Sequence, residues 1–412
     1  MAPRAGAVVM SDAIAALTQE LADAFGEEVA AARHEIIYSA LTAQGWRSKP
    51  VQALRGWAAL VRDLLWLLQP GPRPRPAREA VVLVASLAGP SGLGTLQRAE
   101  AAVRQAGRST AWLLHPRLGR QGGWPLRPAL SALRPRRIVG RHPKIATSLV
   151  RAVMWRDQLW RSALARTLPT DQIRLVHCDF DLLGRASLGT GAIAIQHGMP
   201  SPEFLPPRAP VQVVWGETSR AVLGAPGITT VLDDLGRSRA DRSHALKPAP
   251  PQGIALVSQT HTPVFGPGLA PRLITLAQQL ARAAPTTVLL HPQERAGVYH
   301  GIADLEISRP PHRCLAAAEP PLLVVGFSST ALLDAAMAGH AVVGLDGARP
   351  ATAEIGSPRL RVSDAAAVVR LFQHLRADQA ARDAHARATE DWLRATFAGA
   401  TGALAAWLRQ HR

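Results

Sequence analysis

The residues best suited to chemistry lie where apolar runs end. Val324-Val325-Gly326 passes into Phe327-Ser328-Ser329-Thr330, with Asp334 four positions on and Gly339-His340-Ala341-Val342 beyond. An apolar run that closes on glycine and continues in hydroxyl residues predicts a buried strand turning into a helix. The first N–H groups of such a helix lack intrahelical acceptors and its peptide dipoles add, so its N-terminus attracts an anion. Ser328, Ser329 and Thr330 would add hydroxyl donors to a phosphate, whereas capping alone explains only one of them. One expected strand earlier, Val288-Leu289-Leu290 runs into His291-Pro292, with Arg295 close behind. The carboxyl edge of an open α/β sheet is where ligands bind, so His291 is either a ligand contact there or simply a strand end, and Arg295 could pair with a phosphate. Ser258 and Thr260, after the apolar run Ile254–Val257, are placed at the same edge.

A second group lies earlier in the chain. Ala192-Ile193-Ala194-Ile195 leads to Gln196-His197-Gly198, an apolar run ending in a histidine and a glycine that permits close approach. A neutral imidazole there is a natural general base for a hydroxyl, and a satisfied structural histidine is the competing account. Upstream, His177-Cys178-Asp179-Phe180-Asp181 ends another apolar run. Asp179 and Asp181 are either an alternative base pair or, more simply, caps of the following helix.

Elements must hold these groups in place. Residues 11–68 carry helical periodicity, with Ile14, Leu17, Leu21 and Phe25 on one face. The Pro- and Arg-rich stretch from Gln69 to Pro76 breaks any helix and reads as a linker. From Glu79 onward, short apolar strands alternate with helices, and a second Pro/Gly cluster at 247–253 precedes another such series. Strands separated by helices argue for parallel sheets covered on both faces. The expected organisation is α/β, with a helical region and linker over residues 1–75. A Rossmann-like domain follows over 76–247, and a second Rossmann-like domain with terminal helices over 248–412.

The chain has 412 residues, 47% of them hydrophobic, which excludes a disordered protein. Its two cysteines, Cys178 and Cys314, make neither a disulfide framework nor a paired metal motif. Ala13–Ala31 carries Glu20, Asp23, Glu27 and Glu28, unlike a secretory signal, and the run Trp57–Leu68 is short and interrupted by Arg62 and Asp63. A cytoplasmic setting is therefore expected. Of the formal charge of +17, residues 101–170 hold thirteen, from thirteen Arg and Lys144 against Asp157 alone. Such a segment is either a solvated face or a surface that meets an anion. Arg134, Arg136 and Arg137 are its densest cluster. The segment has tryptophans but neither Tyr nor Phe, which argues against a single-strand nucleic-acid platform.

The ordered succession of Gln-His-Gly (Gln196-His197-Gly198), His-Pro (His291-Pro292) and Gly-x-Ser-Ser-Thr (Gly326 to Thr330), followed by Asp334, resembles the bacterial surface-polysaccharide glycosyltransferases of GT-B fold. It is most similar to the capsule and polysialyltransferase-like enzymes and to the CDP-glycerol glycerophosphotransferases. The resemblance spans roughly Arg174 to Asp346. It implies two Rossmann-like domains facing a cleft, an inverting and metal-independent transfer from a CMP-, CDP- or UDP-linked donor, and no further cofactor. It also implies a lipid-linked or polymeric glycan acceptor at the inner face of an anionic membrane, with no nucleic-acid partner. By resemblance, His291, Ser328, Ser329 and Thr330 bind donor phosphates and His197 is the base. The cation that precedes His-Pro in those families is absent from Leu289-Leu290-His291-Pro292, and Asp233-Asp234-Leu235-Gly236 matches the sialyltransferase acidic motif poorly. A nucleotide-sugar epimerase of the same fold and a non-catalytic nucleic-acid-binding protein are the alternatives.

Overall fold

A computed structural model describes residues 10–42, 45–68, 76–86, 90–118, 138–200, 204–236, 249–260, 268–291, 294, 296–308, 315, 320–327, 329–345, 360–397 and 402–411. The fold is α/β and GT-B-like, built on two six-stranded parallel sheets. The first comprises β3 (Val81–Ala85), β4 (Thr110–Leu114), β5 (Arg174–Val176), β6 (Ala192–Ile195), β7 (Val211–Val214) and β8 (Thr229–Leu232), in the order β4-β3-β5-β6-β7-β8. The second comprises β9 (Gly253–Val257), β10 (Thr286–Leu289), β11 (Leu305–Ser308), β12 (Leu322–Gly326), β13 (Ala341–Leu345) and β14 (Arg361–Val362), in the order β11-β10-β9-β12-β13-β14. In each sheet the strand order reverses beside the first strand, and that switch point opens a crevice at the carboxyl ends.

Both faces of each sheet are covered, which is why the central strands are continuous apolar runs. On the first sheet, Val81 and Leu83 pack with α5 (Thr95–Gln105), and Val82 and Val84 pack with α4 (Lys49–Leu68) and α6 (Thr147–Ala165). On the second sheet, one face receives α9 (Leu269–Ala281) and α11 (Ala365–Ala377). Its other face receives α10 (Thr330–Met337) and α12 (Gln379–Thr396). The strands with no clear sequence signal, β8, β11 and β14, all lie at sheet edges and are only partly buried. A strand that need not bury both faces carries no continuous apolar run.

The chain ends do not stay with their nearest sheet. The last helix, α13 (Ala403–Gln410), belongs by sequence order to the second domain, yet Leu404 and Leu408 pack on the first sheet. Asp233 fastens it there, its Oδ2 accepting from Leu404 N at 2.8 Å and Gly402 N at 3.2 Å. That capping role accounts for Asp233 without any acid/base task. The N-terminal region is helical as expected, in α1 (Met10–Phe25), α2 (Glu27–Ala30), α3 (Arg33–Ala40) and α4, but a small hairpin, β1 (Leu41–Thr42) and β2 (Gly45–Trp46), interrupts it.

Helix α6 also departs from the simple basic face expected of it. It packs against α4 on one side and the sheet on the other, so Arg156 and Asp157 are both buried. Arg156 meets the fully buried Asp63 of α4 at 2.9 Å, and Trp160 Nε1 donates to the same oxygen at 3.0 Å. The interruption of the Trp57–Leu68 run by Asp63 is therefore an internal ion pair. Removing one partner strands a buried charge. Asp63→Ala should cost about 3–5 kcal/mol in denaturant unfolding, and a loss below about 1 kcal/mol would show that the pair behaves as an exposed one.

Candidate active site

The carboxyl edge of the first sheet is organised by Gln196. Its Oε1 accepts from Trp215 N at 2.8 Å, and its Nε2 donates to Gly198 O and to Ser219 Oγ, both at 2.9 Å. Those bonds fix the turn that carries His197. The imidazole packs edge-on against His177 at 5.4 Å between ring centroids and lies 5.2 Å from Phe204, which stacks on Phe180 at 4.8 Å. Burial lowers both histidines to about 4, and for His197 the neighbouring His177 adds to the shift. Both rings are neutral at ordinary pH. The buried Nδ1 of His177 has no hydrogen-bond partner.

The two aspartates have separate tasks. Asp179 Oδ2 accepts from Arg208 N at 2.7 Å, Gln212 Nε2 at 2.8 Å and Ala209 N at 2.9 Å, so this oxygen is fully engaged in pinning the chain that enters β7. Asp181 caps α7 (Leu182–Ala186), accepting from Gly184 N at 2.6 Å, as the capping account expects. Its other oxygen accepts from Ser86 Oγ, across the switch point between β3 and β5, and stands 3.9 Å from His177 Nε2. Burial raises the Asp181 carboxyl. Of the two, Asp181 is the one beside the histidines.

Sequence alone assigned nothing here to the N-terminal helices, yet α3 reaches this edge. His34 lies 5.2 Å from the Phe180 ring, and Arg33 donates to Leu205 O. Glu35 meets Arg185 Nη1 at 2.5 Å. Burial would raise Glu35, but Arg185, aided by His34, holds it well below the usual carboxylate range. No motif flags such a contribution, because it depends on packing between segments about 150 residues apart.

On the second sheet, the edge is organised by Glu294. This buried carboxylate accepts from Ser258 Oγ at 2.8 Å, Thr260 Oγ1 at 2.7 Å and His291 N at 2.7 Å. Ser258 and Thr260 thus turn inward to a carboxylate, whereas the sequence placed them toward a phosphate. Their effect is to hold the His291 turn at the end of β10. Arg295 and Ser328 lie outside the described residues, as do Arg134, Arg136 and Arg137.

Helix α10 opens at Ser329, whose Oγ accepts from Ala331 N at 3.2 Å, the expected cap. Thr330 Oγ1 accepts at 3.2 Å from Met199 N, on the turn that follows His197. A Cβ on Gly198 would stand 3.1 Å from the same oxygen, a tight approach that a larger residue would relieve only by moving the Thr330 hydroxyl. Because both hydroxyls accept in these bonds, each keeps its own hydrogen to donate. Asp334 lies one turn further along α10. Beside the end of β12, a cleft of about 370 Å³ is lined by Arg272, Thr275, Gln279, Phe327, Ser363 and Asp364 among others. The Arg272 guanidinium lies 4.8 Å over the Phe327 ring.

No family model matches the chain, and no curated protein matches it. Solved structures similar to it include a Thermobaculum terrenum O-GlcNAc transferase mutant at 13% identity and TM-score 0.41, covering 98% of this chain and 82% of that one. The calicheamicin glycosyltransferase CalG4 is similar at 14% identity and TM-score 0.43, covering 78% and 96%. A variant of the wall teichoic acid polymerase TagF is similar at 9% identity and TM-score 0.39, covering 87% and 96%. With TM-scores of 0.43 and below, the fold description stands on the sheet topology.

The histidine pair makes a pH prediction. Folded His177 and His197 titrate near 4, against 6.5 for the unperturbed group. Between those values the unfolded chain binds more protons, so stability is complete above about 6.5 and falls as pH drops through about 4. Denaturant unfolding at about pH 7 and about pH 5 should show that loss, and His177→Phe should reduce it. An equal loss in the variant would show that His177 is not buried in its neutral form.

Proposed function

We propose that the protein is a metal-independent, inverting glycosyltransferase, or a polyol-phosphate transferase of the same design, acting in bacterial surface-polysaccharide synthesis. The observation that carries this reading is the meeting of the His197 turn with the N-terminus of α10 through Met199 and Thr330. A base on one domain then faces an anion site on the other. The donor is a CMP-, CDP- or UDP-linked group. Its phosphates lie at the α10 N-terminus, where Ser329 and Thr330 donate, with His291 two strands away at the end of β10 on the same sheet edge. Asp334 flanks the same site one turn into α10, and Arg295 and Ser328, outside the described residues, are its further candidate phosphate ligands by sequence. The cleft lined by Arg272 and Phe327 takes the nucleoside.

The acceptor, a lipid-linked or polymeric glycan, enters over the first domain. In glycosyl transfer its hydroxyl attacks the face of the donor carbon opposite the phosphate, and the new C–O bond forms as the bond to phosphate breaks. In polyol-phosphate transfer it attacks the distal phosphorus, and the P–O bond to the nucleotide breaks. In both, His197 takes the hydroxyl proton. The departing phosphate keeps the bonding electrons and is stabilised by the helix N–H groups. A histidine titrating near 4 is a weak base in the free protein, but a bound diphosphate raises it by opposite charge, so base strength appears with the donor. We place the enzyme in the cytoplasm at the inner membrane face.

Specific observations favour transfer over the alternatives. An epimerase needs a pair of carboxylates for acid/base work beside the donor, and of the two candidates there, Glu294 and Asp334, Glu294 is occupied by three donors. Against a nucleic-acid-binding protein, Arg156 of the basic segment is buried and paired with Asp63, so it is withheld from any polyanion.

Thermal shift with CMP, CDP and UDP identifies the nucleotide. Ser329→Ala and His291→Ala should then weaken its binding by about tenfold or more, the loss of a charge-assisted hydrogen bond. His197→Ala should keep nucleotide binding and lose transfer by about a hundredfold or more. Normal transfer by His197→Ala beside an inactive Asp181→Asn would make Asp181 the base, and unchanged nucleotide affinity in both donor-site variants would remove the phosphate site.

A further inference from the structure

Helix α4 is apolar on two sides. Its inner side buries Gln52, Gly56, Leu60, Asp63 and Leu67, closely enough that a Cβ on Gly56 would stand 2.9 Å from Leu149 Cδ1. Its outer side exposes Val51, Leu54, Trp57, Val61, Leu65 and Leu68, each between 39% and 70% accessible. Steps of three and four residues keep these side chains on one stripe, about 25 Å long at 1.5 Å per residue. Among the described residues, eight large apolar side chains are exposed and six form this stripe, with Trp46 just before the helix. So much contiguous apolar surface on a folded chain marks an interaction face.

The exposed charges of α4 and α6 are of one sign. Lys49, Arg55 and Arg62 are exposed on α4, and its one acid, Asp63, is buried against Arg156. Neighbouring α6 exposes Arg151 and Arg161, while its one acid, Asp157, is buried and held by Arg185 and Arg161. Lys144 lies 5.6 Å from the Trp46 ring. No carboxylate on these two helices is exposed to oppose them. An apolar stripe rimmed by cations is the chemistry of a helix lying in an anionic lipid interface, where the apolar side enters the acyl boundary and the cations meet phosphates. No helix among the described residues is long and apolar enough to cross a membrane, and a helix lying flat requires none.

We propose that α4 is the membrane-contacting element of this protein, lying along an anionic bilayer surface with Val51, Leu54, Trp57, Val61, Leu65 and Leu68 inserted. This differs from attachment through Arg134, Arg136 and Arg137, because it makes apolar insertion necessary and charge only contributory. It stands apart from the transfer chemistry, since neither His197 nor α10 takes part.

Flotation of the full chain tests it, using phosphatidylglycerol vesicles against phosphatidylcholine vesicles, with circular dichroism and the nucleotide thermal shift as controls. The wild type should float with phosphatidylglycerol. Leu54→Glu with Leu65→Glu should reduce the floating fraction by about tenfold or more, and Arg55→Glu with Arg62→Glu should reduce it most at low salt, both with fold and nucleotide response intact. Failure of the wild type to float, or equal flotation of the leucine variant, would overturn the proposal. A wild-type dimer by light scattering that the leucine variant makes monomeric would also overturn it, by showing that a second copy covers the stripe.

Discussion

Arg185 has no exposed surface, and its guanidinium joins segments that the sequence keeps far apart. Nη1 meets Glu35 of α3 at 2.5 Å and Phe180 O at 2.8 Å, and Nη2 meets Asp157 of α6 at 3.0 Å. Desolvating a guanidinium is costly unless its donors are matched, and here two carboxylates and a carbonyl match them. The N-terminal helices, α6 and the turn at the end of β5 are thereby fixed relative to one another. Phe180 sits between the His34, His197 and Phe204 rings, so the same ion cluster sets the walls of the histidine pocket. Without that constraint, the pocket that keeps His177 and His197 neutral would have no fixed boundary.

A second constraint follows from the topology. Two parallel sheets each place their strand ends at one edge, and a site between them needs those edges in register. Gln196 on the first and Glu294 on the second act as organisers: the buried amide donates and accepts, the buried carboxylate accepts, and each ties neighbouring turns together. Asp233 adds a tie in the other direction by fastening the last helix to the first sheet. The His197 turn and the start of α10 then meet through Met199 and Thr330, where a Cβ on Gly198 would be a tight fit.

Much of this was legible in the sequence, for identifiable reasons. The central strands are buried on both faces, so their apolar runs stood out, and the turns after them held the Gln-His-Gly, His-Pro and Ser-Ser-Thr residues. The edge strands β8, β11 and β14 and the β1–β2 hairpin were not legible because they bury too little to leave a pattern. Roles were harder than positions. A serine or aspartate after a strand can bind a ligand or satisfy the protein itself, and only three-dimensional partners decide. Ser258 and Thr260 turned out to serve Glu294, and Asp179 serves the chain entering β7. His34, Glu35 and the outer face of α4 were invisible as features because each depends on what packs, or does not pack, against a helix.

The central claim is that the buried, neutral His197 faces an anion bound at the start of α10. Histidine ¹⁵N resonances, with His197 assigned through a His197→Gln variant, report it directly when titrated without and with saturating CDP or UDP. The account predicts an imidazole that titrates near 4 in the free protein and moves up by about one unit or more once the diphosphate binds. A diphosphate that binds yet leaves the His197 titration unmoved would contradict it, because base and anion would then not share one site.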